Sequence, residues 1–301
     1  MQPIFSAAYF LFGVIFGSFL NVCIYRLPRE LSVVSPRSFC PQCNTPIAAY
    51  DNIPLLSWII LRGRCRNCGT RISPRYAIVE LLTGVFFVLS YMAAGSSPEA
   101  LKLSALSFLL IGLIFTDAET KLLPDLLTKP GIALGLGFSL LVPLEGPAHF
   151  FLPGLENPRV VSLLNSLAGA ILGSAFILGI ALLYESLRGV EGMGRGDVKL
   201  MALIGAFLGV KQTLLVLLLG SVLGSFFGLL LILSVWRKRL ARRRKKSNPA
   251  ESASVARSRA WQSAKLAYRN FEIPFGVFLG TAALFAGFWG RSLVRWYLAQ
   301  F

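Results

Sequence analysis

The sequence predicts an all-α polytopic membrane protein with about eight transmembrane helices and a small zinc-binding loop domain on the cytoplasmic side. Three observations predict this class. The 301 residues are 55% hydrophobic, with a mean hydropathy of +0.66. Apolar runs of about 20 residues, long enough to cross the hydrocarbon core as helices, recur along the chain. Four cysteines in two close pairs lie within one polar segment.

Eight apolar segments account for the expected helices. They are 4–25, 77–95, 100–116, 129–145, 163–187, 198–210, 212–236 and 273–297. The sixth is short for a span, so we expect it to be tilted, half-buried or fused to its neighbour. The first lacks the basic start of a signal peptide, so we expect it to remain as a helix.

These segments divide the chain into three parts. We expect a first transmembrane helix at 1–25, a cytoplasmic four-cysteine zinc-binding domain at 26–76 and a transmembrane core at 77–301. The core includes a basic cytoplasmic loop at about 237–270. With the N-terminus outside, most of the 30 Lys and Arg residues fall on the inner side. The positive-inside rule therefore places both termini outside.

The net charge of +16 raises the alternatives of nucleic acid and membrane lipid as partners. A basic cytoplasmic segment beside a bilayer is attracted to anionic lipid and fixes topology. The run that starts at Trp236 has one aromatic at its start and none interleaved, which argues against base stacking. We therefore expect lipid contact and no nucleic-acid partner.

The four paired cysteines form a CxxC…CxxC pattern, with 21 residues between the pairs: Cys40, Cys43, Cys65 and Cys68. Two such pairs can supply four thiolates to a tetrahedral structural zinc, although the gap is slightly longer than usual. Disulfides are the competing interpretation, but the topology places the loop in a reducing compartment. A four-thiolate zinc site has no open position, so it predicts a structural metal. Cys23 has no partner spacing and is expected to be a packing residue.

Two aspartates lie where apolar segments end. Asp117 follows ALSFLLIGLIFT, and Asp197 closes the motif Gly194-Arg195-Gly196-Asp197. An ionisable residue at a membrane boundary faces protein or water rather than lipid. Brought together, the two carboxylates can share a proton and activate a water. Spacing alone does not decide between this pair and two separate helix caps. For Asp125, a cap of the next helix is the plain structural interpretation.

The motifs as a set resemble the type IV prepilin peptidase family over nearly the whole chain. The resemblance lies in GSFLNVCIYRLP (17–28), DNIPLLSWIILRGRCRNCGTRISPRYAIVELL (51–82), DAETKLLPD (117–125), GRGDVKLMALIGAFLG (194–209) and IPFGVFLG (273–280). The sequence departs from the family pattern at three places. Glu119 stands where many members have aspartate, Val277 stands where proline is common, and the basic 237–270 loop is longer than usual.

The resemblance implies an aspartyl peptidase with Asp117 and Asp197 as its catalytic pair. The implied substrates are prepilins or pseudopilins, cut after a short basic leader at the cytoplasmic face of the bacterial inner membrane. Bifunctional members then methylate the new N-terminal amine with S-adenosylmethionine, and they carry the four-cysteine loop. The residues that bind this methyl donor are not assigned.

Alternative interpretations remain at this point. Asn21, Arg26 and Glu80 flank the cysteine loop and either serve the methyl-donor site or make structural pairs. The aspartates of a transporter or channel would relay protons or bind cations. A zinc-scaffolded membrane anchor would use the loop to recruit a partner. His149, the only histidine, receives no role.

Overall fold

The computed structural model describes residues 2–147, 157–189, 194–246 and 274–300, together with residues 150, 154, 258 and 261. Within these residues the regular structure is helical, with two isolated β-bridges and no strand. The predicted all-α class is therefore confirmed. His149 and most of the 247–270 part of the basic loop lie outside the described residues.

The α-helices are numbered here in chain order. They are α1 (Gln2–Arg26), α2 (Leu56–Ile60), α3 (Arg75–Ala94), α4 (Pro98–Thr120), α5 (Asp125–Ser139), α6 (Pro158–Arg188), α7 (Arg195–Lys246), α8 (Phe275–Phe285) and α9 (Arg291–Leu298). A π-helical turn, Ala286–Gly290, joins α8 to α9. Two short 3-10 helices, Leu27–Arg29 and Ala49–Asp51, lie in the loop between α1 and α3.

Six helical stretches in the described residues are long and apolar enough to cross a membrane. They are Gln2–Arg29, Arg75–Ala94, Pro98–Thr120, Pro158–Arg188, Arg195–Ala241 and Phe275–Tyr297. The chain is thus a multi-pass membrane protein, as predicted. The sequence predicts eight segments, two more than the six found among the described residues. The α5 segment forms a helix of only 15 residues, and α7 contains two of the predicted segments.

Helix α7 reverses direction at Gly209, whose φ of 73° and ψ of 179° are not helical. Its start lies beside the start of α8, because Asp197 approaches Gly276. Gln212 then approaches Gly290 beyond the other end of α8, and Gly224 returns to Phe275. The sixth and seventh predicted segments are therefore antiparallel and joined by one glycine. Glycine adopts this positive φ at little cost.

Helix α5 begins and ends earlier than the predicted segment 129–145. Proline 124 fixes an extended backbone just before the helix, which starts at Asp125 and ends at Ser139. An acidic residue in the first turn interacts favourably with the helix dipole, and Asp125 lies there. Residues Leu140 to Val142 leave the helix, although their apolar character continues the segment.

The core of the bundle contains a very close crossing of α6 and α7. A Cβ on Gly205 would lie 2.2 Å from the carbonyl oxygen of Gly169, so neither position has room for a side chain. Beside it, Ser166 Oγ donates a hydrogen bond to the Ala206 carbonyl at 2.5 Å. Close backbone approach through small residues is typical of helix pairs in membranes. The crossing holds the first part of α7, which carries Asp197, against α6.

Candidate active site and metal centre

Asp117 lies in the last turn of α4 and is 5% exposed. The helix ends because Lys121 adopts a left-handed φ of 55°. The Lys121 N–H donates to the Asp117 carbonyl at 2.9 Å, which closes this last turn. The carboxyl of Asp117 is therefore held by helix packing and lies inside the protein, as the sequence predicts for an acid at a span end.

Asp197 lies in the first turn of α7 and is 8% exposed. The helix begins at Arg195, and the Asp197 N–H donates to the Gly194 carbonyl at 3.1 Å. Asp197 is thus the third helical residue and not the cap. Gly196 is packed against Leu123, whose Cβ would lie 3.1 Å from a Cβ at Gly196. This close approach places the motif beside the turn that follows Asp117.

The two carboxyl groups converge on Gly276, the second residue of α8. A Cβ on Gly276 would lie 2.8 Å from Oδ2 of Asp117 and 3.3 Å from Oδ1 of Asp197. Both oxygens are therefore within 3.3 Å of one point. Glycine at this position leaves the space between the carboxyls open. Helices that are far apart in the sequence thus bring together the two aspartates singled out by their motifs.

Asp117 also has a backbone donor on α8. The N–H of Val277 donates a hydrogen bond to Oδ2 of Asp117 at 2.9 Å. The first N–H groups of a helix have no acceptor within the helix, so the carboxyl supplies one. Sequence reasoning did not assign Gly276 or Val277 a role, because neither has a reactive side chain. The signal in the sequence is the motif IPFGVFLG (273–280), in which Pro-Phe-Gly starts an apolar run.

The neighbouring acidic residues form ion pairs with basic side chains. Asp125 pairs with Lys199 of α7 and with Lys129, the latter at 2.7 Å, so it links α5 to the helix that carries Asp197. Glu119 pairs with Arg75 at the start of α3. The prediction that Asp125 caps α5 is wrong in detail, because Pro124 occupies the cap position and the Asp125 carboxyl bonds lysines.

Two buried carboxyls around one open point can act together as an acid and a base. Like charges this close cannot both ionise easily, so one carboxyl retains a proton. The protonated carboxyl can donate to a carbonyl oxygen while the ionised one takes a proton from water. A helix-cap role for each aspartate would not require their convergence.

The four paired cysteines lie together in the loop between α1 and α3. Their sulfur atoms are all within 4.8 Å of one another. Sγ of Cys40 is 3.8 Å from that of Cys68, and Sγ of Cys43 is 4.0 Å from that of Cys65. Four thiolates around zinc at 2.3 Å lie about 3.8 Å apart, whereas a disulfide needs about 2.05 Å. The geometry fits one tetrahedral metal ion.

The two cysteine pairs sit on matching turns. In the first, the Cys40 N–H donates to Thr45 and the Asn44 N–H donates to Cys40. The second repeats both bonds with Cys65, Thr70 and Gly69 in the equivalent places. Asn44 and Gly69 both have a positive φ, 54° and 69°. Residues of this kind tolerate the left-handed conformation, so the sequence builds the same turn twice.

Hydrogen bonds within these turns favour the thiolate form of two of the four cysteines, Cys43 and Cys68. Bonds from Thr45 and then Asn67 lower the pKa of the Cys43 thiol to about 6. A bond from Thr70 lowers the pKa of the Cys68 thiol. Cys23, in contrast, is buried in α1 and packs in the apolar core, as predicted.

The three polar residues at the junction of loop and membrane make structural bonds. The Arg26 guanidinium donates to the carbonyls of Ser32 and Pro36, both at 2.8 Å. Glu80 accepts from the Leu55 N–H at 2.7 Å. Asn21 donates to the Tyr76 carbonyl at 2.9 Å, which leaves its Oδ1 buried without a partner. The bonds of Arg26 and Glu80 tie the loop to α1 and α3, and the bond of Asn21 joins α1 to α3.

Comparison with known proteins supports the resemblance. Residues 11–94 match the family model for the bacterial peptidase A24 N-terminal domain, and residues 103–229 match the model for the type IV leader peptidase family. No solved structure matches the chain significantly.

Individual relatives match most of the chain. A "Prepilin leader peptidase/N-methyltransferase" of Aeromonas hydrophila is 37% identical over 97% of this chain and 93% of its own length. Proteins of the same description from Klebsiella pneumoniae and Neisseria gonorrhoeae are 42% and 36% identical. They match 71% and 70% of this chain and 95% and 77% of their own lengths.

Proposed function

Because the chain belongs to the type IV leader peptidase family, we propose that it is a prepilin leader peptidase and N-methyltransferase. It removes the leader from prepilins or pseudopilins and then methylates the new N-terminal residue. The observation that supports the proposed peptidase activity is the convergence of Asp117 and Asp197 on Gly276. The transporter or channel hypothesis has no support in the family matches.

The proposed peptidase mechanism uses the two aspartates as an acid and a base. One carboxyl is protonated and polarises the scissile carbonyl, while the other is ionised and activates a water molecule. The open point beside Gly276 is where the scissile carbonyl and this water would lie. Burial of both side chains strengthens each electrostatic interaction by excluding solvent.

The location of the site suits a membrane-anchored substrate. Asp117 and Asp197 lie at the ends of membrane-length helices, where the helix of a prepilin would emerge from the bilayer. The distribution of basic residues supports the proposal that this boundary lies on the cytoplasmic side of the bacterial inner membrane. The basic 237–270 segment would face anionic lipid there.

The four-cysteine loop, in the predicted domain 26–76, is proposed to be a structural zinc domain. Cys40, Cys43, Cys65 and Cys68 would hold the ion, which would order a segment with little apolar core. S-adenosylmethionine, when bound, supplies the methyl group. The junction residues are already bonded except for Oδ1 of Asn21, so they do not define its site.

The test of the peptidase proposal is co-expression with a candidate prepilin. Replacing either carboxyl by an amide, Asp117→Asn or Asp197→Asn, should slow cleavage by about 100- to 10,000-fold, the contribution typical of an acid–base group. Glu99→Gln is the matched control, because Glu99 lies in the first turn of the same helix as Asp117 and pairs with Arg291. Cleavage at the rate of the control in both aspartate variants would refute the pair.

A further inference from the structure

The two aspartates differ in their hydrogen bonds. Oδ2 of Asp117 accepts the Val277 N–H, at the third position of α8. Among the described residues, the carboxyl of Asp197 accepts no comparable bond. Asp197 does lie in the first turn of α7, whose dipole favours a negative charge. A direct N–H bond to a carboxylate is stronger than this field, because the donor is in contact with the charge.

Few other charges face Asp117. Asp197 approaches from α7, and Lys121 lies one turn after Asp117 on the α4 side. The one basic residue of α3, Arg75, is bonded to Glu119, and that of α1, Arg26, is bonded to carbonyls. Glu80 of α3 accepts the Leu55 N–H. Asp125 of α5 is paired with lysines.

The helix α8 itself carries no ionisable side chain from Phe275 to Phe285. Its effect on Asp117 therefore comes from backbone N–H groups alone. Donation by an N–H to the charged form of a carboxyl favours that form over the protonated one.

On the basis of the proposed function, we propose that the Val277 N–H makes Asp117 the ionised, water-activating base and leaves the proton of the pair on Asp197. Val277 is then a positioning residue that acts through Asp117. In the first step Asp117 takes a proton from water as the water oxygen bonds to the scissile carbon. Asp197 gives its proton to the carbonyl oxygen, which yields a tetrahedral diol.

The second step restores both groups. The bond between carbon and nitrogen breaks, and Asp117 gives its proton to the leaving amine. One hydroxyl of the diol returns its proton to Asp197 as the new carboxyl group forms. Asp117 ends ionised and Asp197 ends protonated, so the pair is ready for another substrate without an outside proton carrier.

This hydrogen bond depends on the residue type at position 277. Proline has no N–H and cannot make the bond. Proline also fits the first turn of a helix, where its missing N–H has no helical acceptor. Val277→Pro therefore removes the donor at a position that accepts proline, whereas Val277→Ala keeps the donor and shortens the side chain.

The experiment is the pH dependence of kcat/KM for prepilin cleavage by the full-length enzyme in proteoliposomes. We expect kcat/KM of Val277→Pro to fall on the acidic side of the profile (the acidic limb) at a pH about one unit higher than in the wild type. One unit is the scale of one hydrogen bond to a charged group. The sign follows because Asp117 without the donor takes up a proton at higher pH, which removes the base. Val277→Ala should retain the wild-type limb.

Coincident acidic limbs for Val277→Pro and Val277→Ala would overturn the inference while leaving the peptidase assignment intact. A wild-type enzyme that cleaves no prepilin would instead refute the proposed function. If Val277→Pro fails to fold, replacing Val277 by its α-hydroxy acid exchanges the N–H for an ester oxygen and keeps the side chain. The same shift in this variant supports the inference, and an unshifted limb overturns it.

Discussion

The loop between α1 and α3 and the helical bundle are stabilised by different means. In residues 27–74 only Cys40, Ser57 and Gly63 are buried. The bundle, in contrast, encloses large apolar side chains such as Leu110, Ile204 and Phe207 with no exposed surface. A segment of this size with so little apolar burial does not offset its conformational entropy. We therefore propose that the loop depends on a metal, whereas the bundle depends on close packing.

Loss of the metal is expected to have the largest effect. In the double variant Cys65→Ser with Cys68→Ser, the zinc content should fall from about one ion per chain to none. Structural zinc contributes about 10–16 kcal/mol in small zinc domains, so the loop should become sensitive to trypsin at its many arginines. Metal analysis and limited proteolysis measure the two effects.

Cys23→Ala is the matched control, because Cys23 is a cysteine of the bundle and lies outside the sulfur cluster. It should retain zinc and loop protection. A wild-type protein without zinc and with four reactive thiols would contradict the account of the loop.

A methyl group added at the close crossing of α6 and α7 should destabilise the bundle and leave the loop unchanged. In Gly205→Ala the new Cβ would lie 2.2 Å from the Gly169 carbonyl oxygen and 2.5 Å from the Ala170 nitrogen. These are backbone atoms, so the helices must separate, at a cost of about 1–3 kcal/mol. The thermal unfolding midpoint in detergent should fall while the zinc content stays at the wild-type value.

Gly179→Ala is the matched control, since it lies on α6 and a Cβ there meets no atom within 4 Å. It should leave the midpoint unchanged or raise it, because alanine favours a helix over glycine by up to about 1 kcal/mol. Equal midpoints for the two alanine variants would show that the crossing is not tightly packed.

Removing the ion pair at the junction between the loop and the bundle should have the smallest effect of these changes. Arg75 begins α3 directly after the loop and pairs with Glu119, two residues from Asp117. The side chains are 14% and 34% exposed, so we expect a coupling energy of about 0.2–1 kcal/mol. A double-mutant cycle of Arg75→Gln and Glu119→Gln, measured by thermal unfolding, isolates this energy.

Arg66→Gln is the comparison variant, because Arg66 and Asp51 pair within the loop. It should alter loop proteolysis and leave prepilin cleavage at the wild-type rate. A zero coupling energy between Arg75 and Glu119 would mean that this ion pair does not connect the regions.

Much of this architecture was predictable from local patterns. Long apolar runs determined the helices, and the spacing of Cys40, Cys43, Cys65 and Cys68 indicated one metal cluster. The short sixth segment was correctly expected to be unusual. These features depend on residue type and spacing along the chain, which a sequence shows directly.

Other features were not predictable because they depend on packing between distant segments. The role of Gly276 follows from the absence of a side chain where two carboxyls meet. Val277 acts through its N–H, which nearly every residue type has. The pairing of Arg75 with Glu119 joins residues 44 positions apart, and composition gives no reason to prefer it over other pairs.

The most direct test of the two-region account is the mass of the prepilin N-terminus after incubation with each variant. The helices that hold Asp117 and Asp197 do not pass through the loop. We therefore predict that Asp197→Asn leaves the leader attached, whereas Cys65→Ser with Cys68→Ser yields a cleaved product. An uncleaved substrate with the cysteine variant, or a cleaved one with Asp197→Asn, would contradict the account.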